Sequence, residues 1–336
     1  MSDYRVESTR GGLVESIHRV SLAVVDDGGT LVAESGNPHL STFWRSAAKP
    51  FQALPLAADG VAERFGLGAE ELALACASHS SEPRHLEIGR RFLELIGCTE
   101  QDLACGPHVP LGPAVAAKVA RTGTVMTPVW SNCSGKHAGM LAFARHHDWP
   151  TAGYERAGHP VQQRMTAEVA KWSGVDPDRI GLGTDGCTVV CFALPLTGMA
   201  YAYARFGTST DAAASRIRAA MTAHPWLVAG TGRLCTELMA AAAGQVIAKI
   251  GAEGVYSAAL PGLGLGIALK IESGDMRAAS VALVGAIVQI FERLRPGVSA
   301  DELLGAAGRF RELPTRNSRD EVTGSLRATG ALRFHG

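Results

Sequence analysis

The sequence lacks a surplus of either charge: Lys plus Arg and Asp plus Glu stand at 32 each in 336 residues. Without a basic stripe or a polybasic run, nothing in the chain points to nucleic acid or to an anionic membrane, and a small-molecule substrate is expected. No apolar segment is long enough to span a bilayer. The greasiest stretch, AASVALVGAIVQIF from Ala278 to Phe291, is short and carries Gln289, which reads as a buried helix. The opening MSDYRVESTRGG has no apolar core of a signal peptide. Seven cysteines, an odd number, in such a chain argue against a disulfide framework and for a reducing cytoplasm, leaving the thiols for packing or metal binding. Neither C-x2-C nor H-x3-H spacing occurs, so a closed structural zinc site is not supported. Gly135-Lys136 lacks the opening glycine and the following Ser or Thr of a P-loop, which removes an ATP-binding reading. Internal repeats, charge blocks and low-complexity segments are absent as well.

What is present is an ordinary globular balance, 46% hydrophobic and 19% charged, in a chain long enough for one large or two interleaved domains. Apolar runs flank Asp26-Asp27-Gly28-Gly29, a hairpin signal. The segment around Ser46 reads as a helix with Pro50 in its first turn. From Gly68 to Phe206 the pattern is mostly helical, with Val161, Met165, Val169 and Trp172 at helix spacing after His159-Pro160, and a further helix spans Thr210 to Ala223. KIGAEGVYSAAL and LGIALKIESGD read as two strands parted by Pro261-Gly262-Leu263-Gly264, then come the Ala278–Leu294 helix and a strand near Thr323–Thr329. The order predicts an α+β fold: residues 1–66 plus 245–336 form an antiparallel sheet from both chain ends, and 67–244 a mainly helical subdomain, within one catalytic unit spanning 1–336.

Several segments concentrate chemistry. Ser46 and Lys49 stand as S-x-x-K, one helical turn apart, where an amine can reach a hydroxyl and activate it. Lys249 opens K-x-G two hundred residues on, where a second cation could join the first pair. ACASHSSEPRH at 75–85 packs Cys76, Ser78, His79, Ser80, Ser81, Glu82 and His85 together, either as a helix cap or as a loop presenting hydroxyls. SNCSGKHAGM sets Cys133, Lys136 and His137 together, as a cap or as a metal corner with an unusual lysine ligand. GTDGCTVVCFALPL sets Asp185 and Cys187 in a glycine turn running into a buried segment, with Cys191 in the core.

In their order along the chain, SAAKPFQALPL, CASHSSEPRH, CGPHVPLG, NCSGKHAGML, GTDGCTVVCFALPL, HPWLVAGTGRLCTELM and KIGAEGVYSAALPGLGLGIALK resemble the L-asparaginase II family of the Rhizobium type. The resemblance runs from about residue 10 to the C-terminus. It implies a serine β-lactamase-like fold, relatedness to β-lactamase-like glutaminases, and two Ser–Lys pairs: Ser46 with Lys49, and Ser78 with Lys249 in preference to Lys270. It implies a zinc site at Cys133, Lys136 and Cys187, with His137 and Asp185 as substrate-binding or supporting groups, and a homodimer. The activity implied is hydrolysis of L-asparagine to aspartate and ammonia through an acyl-enzyme. The rivals are a glutaminase, a β-lactam-recognising acyl-serine hydrolase, a metal-hydroxide amidohydrolase, and a non-catalytic binding protein. Where the family pattern places glycine after CASHS, this chain has Ser81, which is expected to alter loop flexibility.

Overall fold

The structure is a computed structural model that describes residues 3–297 and 299–335. The chain divides into two compact units: Met1–Ala47, Leu194–Thr208 and Glu237–Gly336 in the first, and Ala48–Ala193 with Ser209–Thr236 in the second.

The first unit is built on an antiparallel sheet. The hairpin predicted at Asp26–Gly29 joins a long strand, Leu13–Asp26, to Leu31–Ser35. Leu13–Asp26 is the hub. It pairs with Arg5–Arg10 over its first half and with Leu265–Ile271 over its second, in the register Leu22↔Leu269 and Val24↔Ile267. Leu265–Ile271 pairs on with Val255–Leu260, and that strand with Ile247–Ile250. On the other side Val322–Thr329 and Glu312–Arg316 extend the sheet from Arg5–Arg10, so strands from both chain ends interleave as the element order implies. Helices Leu196–Thr208 and Met276–Leu294 pack on this sheet. Their cover explains why all six residues of Val255–Leu260 are buried, with no polar-out alternation.

The second unit is helical, with one short hairpin. Lys49–Ala58 opens with Pro50 in its first turn, where the missing N–H leaves no bond unmade. Pro160–Ser173 starts where the sequence places it, capped by the His159 ring, which accepts from Val161 N–H at 3.2 Å. The unit boundaries depart from 1–66, 67–244 and 245–336 in three places, one being that residues 237–244 fall in the first unit. Residues 48–66 pack with the helices of the second unit, and Leu196–Thr208 lies on the sheet. The elements differ in two places. KIGAEGVYSAAL is two strands, because Gly251–Gly254 turns the chain with Glu253 at φ 57°. The segment 181–195, expected to be a glycine turn entering a buried run, is a hairpin of Gly181–Thr184 with Val190–Pro195. Among the described residues no helix is long and apolar enough to cross a membrane, and none of the seven cysteines forms a disulfide.

Candidate active site

In the helical unit, the segment 76–82 is a loop between helix Ala69–Ala75 and helix Pro83–Leu95. The cap falls to Glu82 and not to the serines. Glu82 caps the second helix, with its N–H donating to His85 Nδ1 at 3.2 Å, and Ser78 presents a hydroxyl. Ser78 is fixed from both sides of its backbone. Its N–H donates to Val228 O at 3.0 Å, and its carbonyl accepts from Arg233 Nη1. The Ser78 hydroxyl meets Lys49, the first residue of helix Lys49–Ala58, whose Nζ lies 3.0 Å from Ser78 Oγ and also donates to Ala77 O. Lys49 is wholly inaccessible to solvent and Ser78 nearly so. S-x-x-K spacing thus delivers a lysine whose hydrogen-bonded serine is Ser78.

His79 ties this loop to the next motif. Its Nδ1 accepts from Ser81 N–H at 3.1 Å, so the proton sits on Nε2, which donates to Ser134 Oγ at 2.9 Å. Burial, then the charges of His85, Lys49 and Arg233, hold His79 well below the ordinary histidine range, so the ring stays neutral. Asn132 O accepts from His79 N–H at 3.2 Å. Gly135 completes the joint: a Cβ there would stand 2.2 Å from Leu74 O, so only glycine lets helix Ser134–His146 approach the end of helix Ala69–Ala75. Ser81 sits at φ 55°, the left-handed conformation glycine adopts freely, and its hydroxyl donates to Trp130 O at 2.8 Å. This explains why glycine suits that place and why serine is held there.

Cys133 immediately precedes helix Ser134–His146, and Lys136 and His137 lie in its first turn. Cys187 occupies the tip of the hairpin in the same unit, beside Thr188 at φ 83°, a strained setting for a β-branched residue. Lys136 Nζ donates to Cys187 Sγ at 3.0 Å. A shared thiol hydrogen between the two cysteines, reinforced by Lys136, holds Cys187 down at about 5 and, with burial, pushes Cys133 up to about 12. Lys136 is buried, yet the two sulfurs and Asp185 raise it above its ordinary value and keep it a cation. Among the described residues no trio of His, Cys, Asp and Glu gathers as a metal set. His137 Nδ1 lies 2.6 Å from Tyr154 Oη, which accepts from Ala104 N–H. His137 Nε2 is buried without a hydrogen-bond partner.

The sheet unit holds the other two residues. Ser46 is partly exposed in a 3-10 turn, Arg45–Ala48, that opens with Arg45 at φ 54°, backbone strain next to the Ser46 hydroxyl. Tyr203 Oη donates to Ala47 O at 2.8 Å, and Trp44 Nε1 donates to Ser257 Oγ at 3.0 Å. Lys249 is fully buried on strand Ile247–Ile250, in register with that same Ser257, and donates to Ile250 O at 3.0 Å. Lys270 is only partly buried and turns to Glu253 O. Arg233, Tyr154 and Ser134 carry no motif of their own in the sequence, and only the fold reveals them.

A search of curated proteins returned no match. Among solved structures, the octameric penicillin-binding protein homologue from Pyrococcus abyssi aligns at 12% identity and a TM-score of 0.35 over 88% of this chain and 79% of that one, a likeness too loose to argue from. The sequence itself decides the matter. Residues 6–328 match L-asparaginase II, and the chain belongs to that family of amide hydrolases.

Proposed function

We propose that this chain hydrolyses the side-chain amide of L-asparagine, giving L-aspartate and ammonia through a seryl acyl-enzyme. Family membership supports amide hydrolysis. The observation that carries the serine–lysine chemistry is the buried Lys49 Nζ to Ser78 Oγ hydrogen bond of 3.0 Å. A serine needs an adjacent base, and a lysine among neutral oxygens can serve once it gives up its proton. In this reading Ser46 attacks the amide carbon. Lys49, three residues on, takes the hydroxyl proton, and Ser78 with Lys249 passes a proton to the leaving ammonia. Water then cleaves the ester by the reverse route. The Lys49–Ser78 bond also favours a second reading, in which Ser78 carries the acyl group and Ser46 relays the proton.

Ammonia release by wild type, Ser46→Ala and Ser78→Ala tests the pair. Each variant should fall by ~10³ or more with its fold intact. Undiminished turnover in both would sink the serine mechanism in favour of a metal-hydroxide one. Trapping the ester and locating it by mass spectrometry decides between Ser46 and Ser78. Asparagine, glutamine and a β-lactam assayed side by side separate the asparaginase reading from its relatives.

A zinc ion would fit Cys133, Cys187 and Lys136 once its binding displaces the Cys133 thiol proton and one ammonium proton of Lys136, leaving two sulfurs and a nitrogen as donors with a fourth position open. Bound there, it would supply a Lewis acid for orienting the amino-acid end of the substrate. His137 and Asp185 belong to the same group of substrate-facing residues in this proposal. Chelation should then raise KM about tenfold with little change in kcat. A kcat abolished by chelation in a folded protein would overturn that assignment. The proposal takes the enzyme as a cytoplasmic homodimer.

A further inference from the structure

Arg233 is held beside Ser78 in a way that a structural brace does not require. Its Nη1 donates to Ser78 O and, at 3.2 Å, to Ala229 O, both neutral carbonyls. Among the described residues, Nε and Nη2 have no acceptor and no carboxylate pairs with the guanidinium. The carboxylate on the adjoining segment is already committed: Glu82 accepts from Thr231 N–H and from Thr231 Oγ1, each at 2.8 Å. Gly230, at φ 126°, locks that segment down, because a Cβ there would stand 2.5 Å from Ser80 Oγ. The arginine therefore issues from a rigid loop. Lys49 grips Ala77 O and Ser78 Oγ while Arg233 grips Ser78 O, so two basic side chains flank one short stretch of backbone. To brace a single carbonyl takes one neutral donor. A guanidinium brings a full charge and a second edge of two parallel N–H groups, the fork that a carboxylate accepts in bidentate fashion.

The geometry points to Arg233 as the residue that receives the α-carboxylate of the amino-acid substrate, through its Nε and Nη2 edge; this rests on the asparaginase reading above. The reacting amide would then be set relative to Ser78 by the same side chain that fixes the Ser78 carbonyl. Arg233 is in this role a specificity residue, selecting free amino-acid amides over simple amides, with no part in proton transfer.

The test compares asparagine with 3-aminopropanamide, the same molecule without its carboxylate, in wild type and Arg233→Gln, which removes the charge and the fork. For asparagine, kcat/KM should fall by ~10- to 100-fold, mainly through KM. For 3-aminopropanamide the fall should stay below about threefold, because the lost partner is not there to be missed. An equal loss on both amides overturns the assignment and leaves Arg233 a brace. If Arg233→Gln fails to fold, Arg233→Lys keeps the charge without the fork. It should lose part of the discrimination between the two amides, and unchanged discrimination overturns the assignment equally. Absence of ammonia release from asparagine by the wild type would instead overturn the asparaginase reading itself.

Discussion

Two buried lysines in the helical unit occupy the same kind of place and are held in opposite ways. Lys49 and Lys136 both lie in the first turn of a helix, at the positive end of its dipole, where a second positive charge is unwelcome. Lys136 is compensated. It sits 3.0 Å from the Cys187 sulfur, whose thiolate character and the lysine's charge support each other. Lys49 is offered only neutral oxygens, Ala77 O and Ser78 Oγ. An ammonium paired with an anion is a fixed electrostatic anchor. An amine surrounded by dipoles can exchange its proton with a hydroxyl, which is what a catalytic base must do. Lys49, first in its helix, and Lys136, third in its own, thus differ in their partners, and in the proposal above that difference separates their roles.

The contrast is broken most directly by removing each amine. Lys49→Met should abolish ammonia release, by ~10³ or more in kcat, whereas Lys136→Met should act mainly on KM, about tenfold, with kcat nearly kept. Equal collapse of kcat in both variants would show that the two lysines are not functionally distinct.

Acid tests the cost of placing a positive charge on the buried histidines of this region. Burial holds the His85 ring down to about 4, against ~6.5 for an unfolded histidine. As pH falls, the unfolded chain takes up the proton first. Stability is therefore complete above about pH 6.5 and drains away until about pH 4, by about 3 kcal/mol for this group, with His79 acting in the same direction. Urea midpoints measured across that range in wild type and His85→Gln should show a shallower slope in the variant. A wild-type midpoint independent of pH would refute the buried-neutral assignment.

The smallest effect is expected at Ser81. Ser81→Gly relieves ~1 kcal/mol of left-handed strain and forfeits the bond to Trp130 O, worth about as much, so thermal stability and kcat should barely move. A loss beyond ~2 kcal/mol would mean the hydroxyl holds the Ser78 loop in place.

Local signals in the sequence were read correctly where one physical cause dominates. Asp26–Gly29 is a turn because glycine and aspartate favour it, and Pro160 starts a helix because its ring costs nothing there. The helix expected around Ser46 begins only at Lys49, with Ser46 in a 3-10 turn ahead of it, and the Lys49 amine bonds Ser78. Hydrophobic pattern failed at Val190–Pro195, a short continuous apolar run that does not tell strand from helix, and at Ile247–Leu260, where a four-residue turn hid inside one apparent strand. The pairing of Lys49 with Ser78 spans 29 residues, and that of Lys136 with Cys187 spans 51. Such contacts depend on how helices approach one another, as Gly135 permits against Leu74 O, and spacing along the chain carries no record of them.

The strand Val255–Leu260, buried at every position, lies between Leu265–Ile271 and Ile247–Ile250, the strand that carries Lys249. Amide protons on such a strand are expected to exchange with solvent only when the whole sheet unit opens. On the timescale of hydrogen exchange, Val255–Leu260 is then a slow wall against which the edge strand carrying Lys249 is held.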